Sequence, residues 1–331
     1  MRFLYLTDTH IRGTSPRSRT DDFPKALKKK LQQVSDLVKE RQIDYVLHGG
    51  DIFDRPTMAP AVVRDFIAIL RSFERPIYAI CGNHDIYGHN PSTVNRTMLG
   101  LLEAMGLVHL LSTGEVVMLK RDGMTVQLSG QPFHYELDKR SRELDYQVKR
   151  RPNVNFVIHM VHGMLVKDPL PEYVPHTMAH EVWHKDVDLL LSGHYHTGFN
   201  VLEKNGRYII NPGSLARVSS WPKELVRIPG VVIITCDKTL AVEEVALKNV
   251  PAGLDVLDRS YLEQAAYRAE RLAGFVQQVR AASDFRTLDL HSLVVEIAQA
   301  KGLEDEVCQE ACRRLGTVEE RLAGGIRVND G

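Results

Sequence analysis

The stretch that most constrains this chain is Tyr78-Ala-Ile-Cys-Gly-Asn-His-Asp85, a short apolar run closed by a glycine and three side chains able to bind metal or move protons. A run rich in β-formers that stops at Gly82 reads as a buried strand delivering Asn83, His84 and Asp85 at its C-terminal end. Polar groups buried behind a strand are costly unless something binds them. Four further stretches repeat the design: RFLYLTDTH ends in Asp8 and His10, DYVLHGGD in Asp51, NFVIHMVHG in His162, and DLLLSGHYH in His194 and His196. Strands from distant parts of the chain thus aim ligands at one crevice.

The donor set narrows the chemistry. Oxygens from Asp8, Asp51 and Asn83 with imidazoles from His10, His162, His194 and His196 suit borderline-hard divalent ions such as Mn²⁺ or Fe²⁺ rather than Ca²⁺. Seven donors are too many for one ion. They suit two ions sharing a carboxylate at roughly 3.5–4 Å, the arrangement that clamps both oxygens of an in-line phosphoryl displacement. A single DxH or GH is more often structural, so the specificity lies in all five motifs occurring in order, each at a strand end.

Between the motifs, the first part of the chain alternates strands at 2–7, 43–48 and 76–80 with helices at 24–41, 60–73 and 94–105. The first helix carries Leu27, Leu31, Val34, Leu37 and Val38 on one face, and Pro24 suits its first turn. This rhythm implies parallel strands joined by right-handed crossovers, with helices covering the sheet. From about residue 107 the strands shorten, a charged helix is expected near 136–149, and strand signals continue to 240–246. We expect this part to build a second sheet, giving an α/β fold of two mixed β-sheets sandwiched between helices over residues 1–250. Pro251-Ala-Gly253 marks a boundary, and 255–331 shows only helical spacing, as a cap on the main domain or a docking arm for another chain.

With 331 residues, 44% of them hydrophobic, the chain can bury a sizeable core; its formal net charge of zero advertises no polyanionic partner, so local patches must hold any nucleic acid. Four scattered cysteines without a CxxC fit reduced thiols, with Cys308 and Cys312 read as small core residues on one helix face. The chain shows neither a signal pattern nor an 18-residue apolar run, so a soluble, cytoplasmic protein outside the membrane is expected.

The ordered motifs DxH, GD, GNHD, H and GHxH, over about residues 1–215, resemble the calcineurin-like metallophosphoesterase superfamily. The resemblance implies one ion on Asp8, His10, Asp51 and His196 and another on Asp51, Asn83, His162 and His194, with Asp51 bridging and a water between them attacking phosphorus. It also implies that His84 gives a proton to the leaving oxygen, with Asp85 holding the His84 ring in its protonated, correctly turned form.

FLYLTDTHIRG, GDIFDRP and INPGSLAR resemble one branch, the nuclease subunit of SbcCD-type double-strand-break repair complexes. That likeness implies a Mn²⁺ pair, DNA as substrate, and 3′ to 5′ exonuclease with single-strand endonuclease action. It further implies a coiled-coil ATPase partner docked by the helical tail, and a homodimer formed through the helix at 58–73, which is apolar on nearly all sides. Arg12, Arg17 and Arg19 follow the first ligand pair directly and are expected at the crevice rim where a DNA backbone would pass. Arg55 reads as a phosphate anchor or an ion pair with Asp54, and Ser214 as a phosphate contact or part of an ordinary hairpin turn. Nucleotide and cyclic-nucleotide phosphodiesterases share every metal motif but would not explain the tail. Protein Ser/Thr phosphatases carry GNHE where this chain has GNHD. A metal-binding scaffold whose pocket serves protein interaction would typically have lost donors, and none is lost here.

Overall fold

The computed structural model describes residues 1–258 and 301–323, with Ser260, Val294, Val295 and 297–299 besides. The first part alternates β1 (Arg2–Leu6), α1 (Phe23–Glu40), β2 (Tyr45–His48), α2 (Pro60–Arg71), β3 (Ile77–Ala79), α3 (Met98–Ala104) and β4 (His109–Leu110). α1 begins where the Asp22 carboxylate accepts the Lys25 amide at 3.0 Å, with a proline in its first turn. Then follow β5 (Val116–Arg121), β6 (Met124–Gln131), α4 (Glu143–Tyr146), β7 (Phe156–Val161), β8 (Leu165–Val166), β9 (Thr177–Met178), β10 (Leu189–Ser192), β11 (Phe199–Lys204) and β12 (Arg207–Asn211). The remaining elements are α5 (Pro222–Val226), β13 (Gly230–Cys236), β14 (Leu240–Ala246), α6 (Gly253–Val256) and α7 (Asp305–Ala323).

Two six-stranded mixed sheets result, ordered β14-β13-β1-β2-β3-β4 and β11-β12-β10-β7-β6-β5. The period of two along β1 divides the core: Phe3 and Tyr5 point between the sheets, where they meet Leu128, Ile158, Met160 and Leu191, while Leu4 and Leu6 point toward α1 and α2. Helices therefore cover the outer face of the first sheet, and a third apolar cluster around Tyr146, Val182 and Leu190 covers the second. β1, β2 and β3 run parallel, as do β6, β7, β10 and β12, so both sheets present C-terminal strand ends along one side.

Two expectations need correction. The strands after residue 107 do not all enter the second sheet, because β4 and the β13–β14 hairpin complete the first; β13 pairs antiparallel with β1 and covers an edge that would otherwise expose unpaired amides. The charged helix at 136–149 shrinks to the single turn α4. Its side chains are recruited elsewhere: Asp138 accepts from Tyr146, Thr177 and the Met164 amide, and Asp145 accepts from Arg140 and bonds His134. On α2, Val63, Phe66 and Leu70 are buried, while Val62, Ile67 and Ile69 are half-buried.

The chain remains attached to the body through α6: Val256 and Leu257 are buried, and Leu257 bridges Arg19. The part of the 255–331 helical spacing that falls on 261–293 lies outside the described residues. α7 packs against the turn Tyr87–His89, with the Tyr87 carbonyl 3.4 Å from where a side chain at Gly316 would begin.

Ile158 lies fully buried between the sheets, so Ile158→Ala should cost about 2–5 kcal/mol in urea unfolding. The Asp145 network makes a pH-dependent contribution. Burial opposes ionisation of this carboxyl, but bonds from His134 and Arg140 hold it below its ordinary value. Its stabilisation is complete above the unfolded value of about 3.9 and is lost as pH falls through the lower folded value. Asp145→Asn should therefore lower the urea midpoint at pH 7 and flatten its acid dependence below about pH 4.

Candidate metal centre

Every expected ligand follows a strand end of one of the two sheets. The segments after β1 and β2 continue the sheet's pairing past its regular strands: the Asp8 amide donates to the Gly50 carbonyl at 3.1 Å and the His10 amide to the Asp51 carbonyl at 3.0 Å. β7 leads into His162, and β10 into His194 and His196. Asp8, His10, Asp51 and His194 all have φ between 42° and 70°, a left-handed conformation uncommon outside glycine. Strain concentrated at these positions marks a site the surrounding packing over-determines.

The structure brings all seven expected donors together. Asp8, His10, Asp51 and His196 form one group and Asp51, His162 and His194 another, with ligand atoms in each within 4.8 Å of one another. Asn83 joins the second group through its side-chain oxygen, 3.2 Å from His162 Nε2. Asp51 belongs to both. Its Oδ1 accepts the His84 amide at 2.9 Å, while the buried Oδ2 has no hydrogen-bond partner and lies 3.7 Å from His10 Nε2 and 3.4 Å from His162 Nε2. Glycine at position 82 permits this approach, because a Cβ there would fall 2.1 Å from Asp51 Oδ1.

Supporting bonds fix the rings. His162 Nδ1 lies 2.7 Å from the Gly49 carbonyl, to which it donates, and this turns Nε2 toward Asp51. Thr7 donates to Asp8 Oδ2 at 2.6 Å. His48 bonds Thr9 and accepts the Gly50 amide.

The electrostatics suit cations. Burial opposes ionisation of Asp8, yet the hydrogen bond and charge of His196 hold its carboxyl well below the usual range; Asp51 is held down likewise by His162. Burial drives His10 and His194 down to about 3, assisted by His196 and His162 respectively. Burial also works against charge on His162, but Asp51 outweighs it and raises the ring to about 9. Ionised carboxylates thus stand beside the neutral rings of His10 and His194, while His162 supplies the positive charge that Asp51 calls for. With a buried carboxylate oxygen unbonded between two imidazoles, the residues fit a pair of divalent ions sharing Asp51.

Other expected residues are placed differently. Asp85 does not hold His84. Its fully buried carboxylate accepts the amides of Ile52, Phe53 and Gly82 and so ties the β2 and β3 loops together, whereas His84 Nδ1 bonds the Asp54 carbonyl at 2.9 Å. Burial and the Asp51 charge push Asp85 up, with the Phe53 and Gly82 amides pulling the other way. Ser214 is also fully buried, and its hydroxyl donates to the Asp8 carbonyl at 2.8 Å, so it positions a ligand segment instead of facing substrate. Arg19 is buried, bidentate on Asp21 and bonded to the Arg217 carbonyl, which removes it from the rim. Arg12 pairs with Asp54 at 3.1 Å, while Arg17 and Arg55 are exposed.

Asp54, expected only as a partner for Arg55, does more. Besides receiving His84, it places its carboxylate 3.8 Å from His10 Nδ1, and its spacing three residues after Asp51 is the available signal. Phe133, whose ring lies 5.7 Å from that of His194, has no sequence signal.

Two layered sheets whose strand ends converge on two donor groups sharing one carboxylate define a dinuclear-metal phosphoester hydrolase. Residues 1–198 match the calcineurin-like phosphoesterase family, and the chain belongs to it. It is 28% identical over 177 residues to the DNA double-strand break repair protein Mre11 of Methanosarcina acetivorans, covering 52% of this chain and 24% of that one. It is 25% identical over 231 residues to the protein of the same name from Archaeoglobus fulgidus, covering 66% and 50%. To the D component of the nuclease SbcCD of Bacillus subtilis it is 33% identical over 90 residues, covering 26% and 22%. The matches span half or less of these relatives. Among the described residues no helix is long and apolar enough to cross a membrane.

Gly82→Ala would force a methyl into the seat of Asp51. It should weaken Mn²⁺ binding measured by isothermal titration by roughly 10–100-fold, as supporting-residue changes at metal sites do, with the unfolding midpoint recorded alongside.

Proposed function

We propose that this chain is a phosphodiesterase that uses a pair of divalent ions, most simply Mn²⁺, to cleave the DNA backbone, acting as a 3′ to 5′ exonuclease and single-strand endonuclease in DNA repair or recombination. The observation that carries the hydrolytic part is the sharing of Asp51 between the two donor groups. DNA as substrate is supported by the relatives, whose names place them in double-strand break repair and among nucleases. Exposed Arg17 and Arg55, in the segments that follow ligands His10 and Asp51, suit phosphates of a passing strand.

Asp8, His10, Asp51 and His196 would hold one ion, and Asp51, Asn83, His162 and His194 the other. When bound, such a pair supplies Lewis acidity to the phosphoryl oxygens and to the attacking water. The protein's own contribution to proton transfer falls to His84. Its Nδ1 is committed to the Asp54 carbonyl, so Nε2 is the atom free to protonate the leaving oxygen, with the ring set edge-on to His10 at 4.8 Å.

The division into a nuclease domain over 1–250 and a helical region over 255–331 is part of the same reading. The helical region would dock a coiled-coil ATPase of the SbcC type, and α2 would supply a homodimer contact, in a cytoplasmic complex. A small-nucleotide phosphodiesterase remains the alternative that the metal motifs equally allow.

His84→Ala should reduce hydrolysis of linear duplex and circular single-stranded DNA in Mn²⁺ by roughly 10²–10⁴-fold while Mn²⁺ binding stays intact. Asp8→Ala or a chelator should abolish hydrolysis altogether. Faster turnover of cyclic nucleotides than of DNA would replace the nuclease reading with the alternative.

A further inference from the structure

Of the three consecutive lysines in α1, Lys28 pairs with Asp65 and Lys29 is exposed, but Lys30 is buried. Its Nζ donates to the Leu215 carbonyl at 2.9 Å, 185 residues along the chain. An ammonium taken out of water is costly unless it is bonded, so the partner it holds is informative. Burial, together with the charges of Arg217, Arg19 and Arg227, draws Lys30 down to about 7 against the pull of Glu224. The ammonium and the neutral amine can both donate to a carbonyl, so the bond survives that titration.

Leu215 lies in a strap, residues 214–217, that joins two ligand segments to each other and to α1. The strap's amides serve the ligand segments: Ser214 donates to the His196 carbonyl at 2.8 Å, Leu215 to the Thr7 carbonyl at 3.0 Å and Ala216 to the Asp8 carbonyl at 3.3 Å. Its carbonyls are held from α1 and the loop before it, Leu215 by Lys30 and Arg217 by Arg19 at 3.1 Å. Asp8 and His196 belong to one donor group, with His196 Nε2 3.5 Å from Asp8 Oδ1. In the other group His162 is set instead by the Gly49 carbonyl.

We propose that Lys30 is a positioning residue of the metal centre: through the Leu215 carbonyl it fixes the separation of Asp8 from His196, and with it the affinity for the ion that those two share with His10 and Asp51. The inference rests on the paired-ion reading. It gives α1, which contributes no ligand, a part in building the site.

Isothermal titration of the metal-free full chain with Mn²⁺ reads both ions. Lys30→Met keeps an unbranched stem and removes the donor. It should weaken one of the two Mn²⁺ sites by roughly 10–100-fold, the scale of changes to groups that support metal ligands, and leave the other unchanged. Lys30→Gln, shorter and without the ammonium, should repeat the one-site loss and stands in for Lys30→Met if that chain does not fold. Val38 is buried about two turns further along the same helix. Val38→Ala loosens the packing of α1 away from the strap, so it should lower the urea midpoint and keep both affinities. A purely structural Lys30 would behave in the same way as Val38. Two unchanged sites in the Lys30 variants, an even loss at both, or the same one-site loss in Val38→Ala overturns the proposal and leaves the two-ion reading intact. Fewer than two ions on the unmodified chain would refute that reading, and this role with it.

Discussion

Asp51 gives one oxygen to the His84 amide and leaves the other buried and unbonded between His10 and His162. An ionised carboxylate in that position is tolerable only beside positive charge, and the fold around it is arranged to bring that charge from both sides. His10 comes from the first sheet and His162 from the second. The two sheets must therefore meet with their strand ends in register to within a side chain's reach. The apolar core between them, from Phe3 and Tyr5 across to Ile158 and Leu191, sets that distance. His162 pins it directly by bonding the Gly49 carbonyl on the opposite sheet.

This dependence explains where the backbone is strained. A regular strand cannot turn its last residue back toward a neighbour's carboxylate, so Asp8, His10, Asp51 and His194 adopt left-handed φ. Each such residue costs of order 1–3 kcal/mol. The segments are kept in that state by bonds that would otherwise have no purpose: Ser214 to the Asp8 carbonyl, Thr7 to its carboxylate, and Asp85 to three amides of the adjoining loops. Strain at the ligands and buried polar groups around them are two sides of one construction.

Much of this was legible in the sequence because the strand ends are local. An apolar run followed by Gly-Asn-His-Asp or Gly-His-Tyr-His declares both the strand and what it delivers, and the bounds of β1, β2, β7 and β10 follow from those runs within a residue or two. What could not be read was long-range. Nothing in 230–246 says that this hairpin pairs with β1, more than two hundred residues away, instead of extending the nearer sheet. The same holds for Asp85, Ser214 and Arg19. Each is a polar residue near a motif, and only the tertiary bonds reveal that their hydrogen-bonding capacity is already used by backbone or a carboxylate, leaving none for substrate. Asp54 was hidden for the converse reason, since a carbonyl oxygen carries no sequence signature and it is the carbonyl that turns His84.

The turn that follows Asn83, His84 and Asp85 connects the metal centre to the rest of the chain. Gly88 and His89 are both left-handed, and α7 rests on this turn. His89 in turn contacts Phe133, which touches two of the imidazoles around Asp51. A rigid body displacement of α7 cannot leave this turn unaffected, because the helix approaches it at Gly316 with no side chain between to absorb movement. The C-terminal helix is therefore mechanically continuous with the loop that carries His84. Its outer face, where Val307 and Val318 are exposed, thus belongs to an element that touches the turn leading from the metal centre.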